Sequence, residues 1–444
     1  MVFINHNSAE HLGGAERSLL TLIDRWVTED PTVTPIVVSP GPSAAMARAI
    51  THRNWRHVEL DFEGWAVFSA SGGRAEALLR KRRAAAATRA IVVLLRESDA
   101  RLVVTNTLVH PWGALAAAMV GVAHVWFVRE FGHTDQGFIW PGGRSAALRD
   151  LGALSRTVVA NSRAVRDDLA REIPVDRLVI SYPPIDTDSV RALSREPLRA
   201  HVPAYPDREA LRVCVLGRVT RSKGQWRVVE ALRLLHGAGV RVQVCFVGEL
   251  LDPGVQDELT RRAPAGSVTF VGEQANPFPY VAAAELAVIP SHREAFGRTT
   301  VECLAVGRPV VVTTEGAGAE LVTAEVGQLV PAADIPALAA AIRRYADDHT
   351  LSRRQEAAAR RHAVALMDGP YSAELALRAM RDAVGSTPAP LPPRWISWAA
   401  LLDATADGGH PRLWTAEASA ARTARLAAKA LRHPATAIRR LRGR

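Results

Sequence analysis

Short runs rich in β-branched residues alternate with Ala/Leu-rich stretches almost from end to end of the chain, and this alternation limits the fold more than any other feature. Strands separated by helices pair in parallel, and a parallel sheet needs helices over both faces. In the first half the strand pattern falls at Val2–Asn5, Thr34–Val38, Leu102–Thr105, His124–Val128, Thr157–Ala160 and Leu178–Ser181. Helices are predicted between them, notably at Ala15–Trp26, Pro111–Val120 and Ser162–Arg171. The Pro-rich stretch Tyr182–Pro206 breaks the pattern and reads as a linker. The alternation then restarts, with strands at Arg212–Leu216, Val242–Val247, Val268–Val271, Leu286–Ile289 and Pro309–Thr313 and helices at Gln225–Ala238, Arg298–Val306 and Ile335–Asp348. Two α/β halves therefore share one architecture, and in open sheets of this kind ligands sit beyond the carboxyl ends of the strands.

A chain of 444 residues with 48% hydrophobic and 23% charged residues is long enough for two or three globular domains, which excludes wholesale disorder and a small stapled module. Net charge is +10, but residues 417–444 hold eight Lys and Arg against one Glu and account for +7 of it. The body is thus nearly neutral and offers no polyanion-binding surface, so nucleic acid is not an expected partner. The basic end, Ala418–Arg444, reads either as a solvated helix or as a peripheral anchor on anionic lipid. Cys214, Cys245 and Cys303 are scattered, which encodes neither a disulfide framework nor a zinc cluster and suits a reducing cytoplasm. The N-terminus has no basic segment ahead of its apolar run and does not read as a signal peptide. Leu108–Val128 lacks Asp, Glu, Lys and Arg and is long enough to cross a bilayer, but Pro111, Gly113 and Gly121 followed by Val125-Trp126-Phe127-Val128 read better as a buried helix and a buried strand.

Three segments carry candidate chemistry. In Ser291–Glu302, Gly297 lies between a strand and a helix, so backbone N–H groups near Gly297, Arg298 and Thr299 point outward and suit a phosphate. Glu302, one turn into that helix, can accept two hydrogen bonds from a ribose diol, and Glu294 in the loop can reach a sugar hydroxyl. The plainer reading is an acidic first turn and a solvated loop carboxylate. In Gly217–Gly224, Arg218 and Lys223 follow the first strand of the second half, where they can neutralise a diphosphate leaving group or simply be solvated loop cations. Gly13-Gly14-Ala15-Glu16 follows the first strand, as a close backbone approach to a ligand or as an ordinary tight turn. No G-K-[ST] occurs, so there is no P-loop.

These residues resemble the retaining GT-B glycosyltransferases of family 4. The Gly13–Glu16 loop, Ile185-Asp186, the Gly217-Arg218 to Lys223-Gly224 segment, the Glu294-to-Glu302 motif and Gly307-Arg308-Pro309-Val310-Val311 occur in family order over roughly residues 1–385. The resemblance implies two Rossmann-like, doubly wound parallel-sheet domains facing a cleft, plus a helical C-terminal extension. Its parts would be an acceptor-binding domain over residues 1–188, a nucleotide-sugar-binding domain over 189–350, a helical segment over 351–384 packing on the body, and a linker with the basic tail over 385–444. It implies transfer of a hexosyl group, with retention and without a metal, from a nucleotide sugar to a glycan or lipid-linked acceptor. By the same resemblance Arg218 and Lys223 stabilise the leaving diphosphate, Gly297 and its neighbours donate N–H bonds, Glu302 holds the ribose and Glu294 contacts the donor sugar. Gly14 would lie beside the donor phosphate and Gly13 on the acceptor side. The family's usual His-Asp after the fourth N-terminal strand is here Arg129-Glu130, which would position acceptor and donor. Glu273 and Gln274 would meet the nucleobase.

Other readings stay open on the sequence. Asp186-Thr187-Asp188 formally matches the D-x-D that holds a divalent ion in GT-A transferases, although it sits at a junction between halves. A non-catalytic saccharide- or partner-binding protein could keep the same fold, and a GT-B-like sugar-nucleotide epimerase would need no acceptor. The loop holding His133, Asp135 and Trp140 reads as a mobile acceptor loop or as an ordinary surface loop.

Overall fold

The computed structural model describes residues 1–404 apart from 7–10, 69–73, 141, 199–203, 208 and 251. The basic stretch 418–444, with Trp414 before it, lies outside the described residues. The first sheet has seven strands: β1 (Val2–Ile4), β2 (Ile36–Pro40), β3 (Arg56–Leu60), β4 (Leu102–Thr105), β5 (Ala123–Val128), β6 (Thr157–Ala160) and β7 (Leu178–Ile180), in the order β3-β2-β1-β4-β5-β6-β7. The second has six: β8 (Leu211–Leu216), β9 (Val242–Val247), β10 (Val268–Gly272), β11 (Leu286–Ile289), β12 (Val310–Thr313) and β13 (Gly327–Val330), in the order β10-β9-β8-β11-β12-β13. The pairings of β1 with β2 and β4, and of β8 with β9 and β11, are all parallel. Both orders reverse once, between β1 and β4 and between β8 and β11, as the two-α/β-half reading requires.

Every strand expected from the sequence is present within a few residues. Two were not foreseen, β3 and β13, and each is one edge of its sheet; the opposite edges, β7 and β10, carry the apolar runs Leu-Val-Ile and Val-Thr-Phe-Val and were expected. An edge strand is covered less completely than a central one, so β3 reads Arg-His-Val-Glu-Leu with its first two residues exposed or half-buried and shows no continuous apolar run. Central strands such as β4 and β5 are buried at every position. The apolar stretch Leu108–Val128 forms the helix Trp112–Val120 and then β5, with Gly121 left-handed (φ +71°) where the helix ends. Gly113 lets that helix lie on the sheet, because a Cβ there would sit 2.6 Å from Cγ1 of Ile4. Among the described residues no helix is long and apolar enough to cross a membrane.

The expected linker contains one further helix, Thr187–Leu193, which Asp186 caps by accepting from the N–H of Ser189 at 2.8 Å. Asp188 pairs with Arg191 at 3.0 Å, so both carboxylates of the D-x-D serve this helix. Helices Leu351–Asp368 and Ala373–Ala383 follow the second sheet, and the helix Pro393–Ala404 ends the described chain. Contacts gather these residues into two compact units, one of 1–127, 139–158 and 380–404, the other of 128–138 and 159–379. In the first, Trp398 stacks on Trp112 at 5.8 Å and Arg394 donates to Asp150 at 2.7 Å, which fixes Pro393–Ala404 on that unit. In the second, Ala359 and Ala363 of Leu351–Asp368 enter the core that holds Val301, Leu304 and Val310. The three cysteines are buried and unpaired.

His124 of β5 is fully buried between Thr105 (2.8 Å) and Ser155 (3.1 Å), and burial lowers its pKa to about 3. The unfolded chain binds this proton near pH 6.5 and the folded chain does not, so the associated stability is present above that pH and is lost as pH falls toward 3. Between pH 7 and pH 5 the loss amounts to about 2 kcal/mol for this one side chain. Urea denaturation at both values checks it: His124→Gln should lower stability at pH 7 and shrink the difference between pH 7 and pH 5 by about that amount.

Candidate functional site

The candidate site of the second unit is built where its sheet order reverses. β8 ends at Leu216, and the loop that follows returns to the helix Gln225–Gly237. Gln225, buried, organises the loop by donating to the carbonyl of Arg218 at 3.0 Å. Gly224 must be glycine: its φ is +75°, and a Cβ would lie 2.1 Å from the carbonyl oxygen of Pro290. Pro290 follows β11, so this close approach joins the loops after β8 and β11, and the N–H of His292 adds a 3.0 Å bond to the carbonyl of Ser222.

Across that seam Lys223 Nζ donates to Glu294 Oε1 at 2.7 Å, and Ser291 Oγ donates to the same oxygen at 2.5 Å. The Glu294 side chain is 13% exposed. Burial by itself would raise its pKa; the ammonium of Lys223 beside it and the Ser291 hydroxyl outweigh burial and hold the carboxyl below its ordinary value. Glu294 is therefore a fixed anion whose other oxygen is available to a hydroxyl group. Its backbone is held by the N–H of Ala317 at 2.9 Å and by Gly316, whose φ of +89° and absent Cβ let the chain pass the Glu294 carbonyl.

The helix Arg298–Val306 begins at Gly297, left-handed at φ +91°, and no side chain caps it. Its first-turn N–H groups, those of Arg298 and Thr299 among them, have no carbonyl within the helix to bond, which suits an anion. Thr300 Oγ1 is buried there without a hydrogen-bond partner among the described residues. Glu302 lies one turn on, its side chain 8% exposed and paired with Arg298 at 3.3 Å. Arg298 also donates to the carbonyl of Pro184 at 3.0 Å, so its side chain orients Glu302 while its backbone faces the helix start. Arg218 stands in the β8 loop with its Nε on Glu249 at 2.8 Å.

Arg129 and Glu130 join this unit through the loop that follows β5. The Arg293 guanidinium lies 3.7 Å over the ring of Phe131 and donates to Thr134 at 3.0 Å, which ties that loop to the residue beside Glu294. Asp135 closes the loop by accepting from the N–H groups of Phe131 (2.9 Å) and Gly132 (2.7 Å), and burial raises its pKa. Glu273 is exposed at the carboxyl end of β10, two strands from β8, while Gln274 is engaged with the Val271 carbonyl at 2.7 Å and the Tyr280 hydroxyl at 3.3 Å.

In the first unit Gly13 precedes the helix Gly14–Glu29 with an unremarkable φ of −75°, and no side chain caps that helix. Here the sequence named Glu16 within the Gly13–Glu16 segment but gave no sign of Asn5 or His110. Asn5, Glu16 and His110 are buried around the point where the first sheet reverses, and Asn5 Nδ2, Glu16 Oε1 and His110 Nδ1 have no hydrogen-bond partner among the described residues. His110 Nε2 lies 3.2 Å from the carbonyl of Asn5, so Nε2 carries the proton and Nδ1 is a bare acceptor. Burial lowers the His110 pKa to about 3, which keeps the ring neutral, and His6 lies 3.7 Å from Glu16. One donor and two acceptors left unsatisfied in a buried place fit the hydroxyl groups of a polyol.

Residues 12–189 match the family described as Glycosyltransferase Family 4, and residues 210–348 match the family described as Glycosyl transferases group 1. Together these matches take in well over half of the chain. The chain belongs to the family 4 glycosyltransferases. Among curated members, it is 32% identical over 289 residues to D-inositol 3-phosphate glycosyltransferase 1 of Catenulispora acidiphila, covering 57% of this chain and 66% of that one. It is 29% identical over 181 residues to the lipopolysaccharide core biosynthesis mannosyltransferase LpsB of Rhizobium meliloti, covering 37% and 47%. The match thus spans less than two thirds of either relative. The fold is that of a glycosyltransferase from Rickettsia africae (TM-score 0.66, 17% identity, 86% of this chain and 97% of that one). It is also that of Anabaena Alr3699/HepE in complex with UDP-glucose (TM-score 0.63, 18% identity, 87% and 99%). This family 4 member therefore has the GT-B fold of two doubly wound parallel sheets with a helical C-terminal extension.

Gly224→Ala tests the seam between the two loops. Left-handed strain and the clash with Pro290 should together cost about 2 kcal/mol or more, read as a lower urea midpoint at unchanged m-value.

Proposed function

We infer that the chain is a retaining, metal-independent glycosyltransferase that moves a sugar from a nucleoside-diphosphate sugar to a hydroxyl of a glycan or lipid-linked acceptor. The observation that carries this reading is the Lys223–Glu294 pair, 2.7 Å apart, beside the uncapped helix start at Gly297. A cation, a set of outward N–H groups and a fixed carboxylate match the diphosphate and the sugar hydroxyls of one ligand. Family membership adds support, as does the relative named as a mannosyltransferase.

In the proposed reaction the acceptor oxygen attacks the anomeric carbon on the face the diphosphate leaves. The bond from that carbon to the β-phosphate oxygen breaks, and the departing phosphate oxygen takes the acceptor proton. Lys223, Arg218 and the N–H groups at Gly297, Arg298 and Thr299 stabilise the charge that grows on the leaving group. Glu294 binds the transferred sugar, Glu302 the ribose and Glu273 the base. Gly14 approaches the donor phosphate and Gly13 lies on the acceptor side. Arg129 and Glu130 position both substrates, and the Asn5, Glu16 and His110 cluster receives acceptor hydroxyls. The reaction would take place at the cytoplasmic face of a membrane, to which the basic stretch 417–444 adds attraction for anionic lipid.

Binding can be read without knowing the acceptor. At about 100 times its dissociation constant, the correct nucleoside diphosphate should stabilise the native chain by about 2.7 kcal/mol, seen as a raised melting temperature. The rise should persist in EDTA and vanish in Glu302→Ala; no rise with any of UDP, GDP, ADP or TDP would reject the donor site. Once the donor is known, Lys223→Ala should lower kcat about 10²–10³-fold, the usual cost of removing one stabiliser of developing charge. Turnover that is unchanged in that variant removes Lys223 from the mechanism, and turnover that requires added manganese removes metal independence.

A further inference from the structure

The second unit has a cavity of about 300 Å³ at the end of its sheet opposite to the candidate site. Its charged and hydroxyl lining comes chiefly from Arg212, Glu285, Arg308, Ser352, Arg353 and Glu356, contributed by the start of β8, the segments before β11 and β12, and the helix Leu351–Asp368. Arg212 lies near the start of β8 and Arg218 follows its end, so a strand length, on the order of 20 Å, separates the two places.

Positive charge there is only partly matched. Arg212 lies 3.4 Å from Glu285 and Arg308 lies 3.7 Å from Glu356, but Glu356 also pairs with Arg360 at 2.6 Å, and Arg353 at the rim is exposed. Arg308 is the telling residue. Its side chain is 16% exposed, and its buried Nε has no hydrogen-bond partner among the described residues. Burial first, with Arg360 and Arg212 adding to it against the opposing pull of Glu356 and Glu285, lowers its pKa, so the guanidinium is held in a place that disfavours its charge. A bound anion would relieve that cost. A guanidinium fork matches tetrahedral oxyanions, and the cavity has the size of a small-molecule site.

We propose that this cavity is a second ligand site that takes a small phosphoanion, with Arg308 at its base and Arg212 and Arg353 as flanking cations. It goes beyond the donor site and uses none of that site's residues.

Inorganic pyrophosphate is the probe, titrated calorimetrically into the full chain carrying Lys223→Ala, which weakens the donor site. That chain should still bind pyrophosphate. Arg353→Glu added to it reverses a rim charge without touching the core and should weaken binding about tenfold or more, the value of at least one charge-assisted contact. Arg308→Gln should do the same if its melting temperature shows a folded chain. Pyrophosphate affinity that is unchanged by Arg353→Glu, or absent altogether in the Lys223→Ala chain, overturns the proposal. The donor reading fails separately, when no nucleoside diphosphate raises the melting temperature of the wild-type chain.

Discussion

A parallel sheet forces every carboxyl end of its strands to one edge, and the functional geometry of this chain follows from that constraint. Neighbouring strands lie about 4.8 Å apart, so loops leaving adjacent strands at the same edge must meet. In the second sheet the adjacent strands are β8 and β11, in register at Ala287 and Cys214, although their sequences are far apart. The loops after them bring Lys223 to Glu294 and leave Gly224 against the Pro290 carbonyl. The first sheet reverses between β1 and β4, and the same constraint gathers Asn5, His6, Glu16 and His110 there.

Electrostatics then distinguish the two places. After β8 and β11 a largely buried carboxylate is held as an anion by one ammonium and one hydroxyl, and a helix start beside it presents unbonded N–H groups. Such a place is charged before any ligand arrives, and the proposed sugar-diphosphate donor would meet groups already oriented for it. After β1 and β4 the arrangement is unsatisfied rather than paired. Among the described residues one carboxylate oxygen of Glu16, a neutral imidazole nitrogen of His110 and the Nδ2 of Asn5 are buried without a hydrogen bond, and polar atoms in such surroundings ordinarily find one. Arg293 links the Arg129-Glu130 loop to the Glu294 segment through Phe131 and Thr134, giving a residue adjacent to the charged pair a positioning role of its own.

The central strands were legible because both of their faces are covered, which leaves continuous runs of Val, Ile and Leu such as β4 and β12. Of the four edge strands, β7 and β10 were legible by their apolar runs, but β3 and β13 were not, since a strand with one sheet neighbour can also carry Arg, His and Gln. Glycine told more than any other residue where a turn had to occur at a site: Gly224 and Gly297 were both marked by position and both prove left-handed. Gly316, equally necessary to Glu294, gave no signal because it lies in a Gly-Ala-Gly stretch with no motif around it. Asn5 and His110 were equally silent. Asparagine after a strand and histidine in a loop are common, and only burial without partners makes them informative.

By itself the sequence determined the class of fold, the two α/β halves and the identity of the charged groups near the second switch point. Those properties are written locally, in the period of apolar residues, in the glycine that starts a helix and in the order of short motifs. Tertiary structure decided which of the candidate groups meet. It put Lys223 on Glu294, brought Arg298 to the carbonyl of Pro184, left Glu273 two strands away from β8 and exposed the cavity lined by Arg308. Such pairings depend on strand order and on the direction of each loop, and the Lys223–Glu294 contact closes a separation of 71 positions, a range that no local pattern encodes.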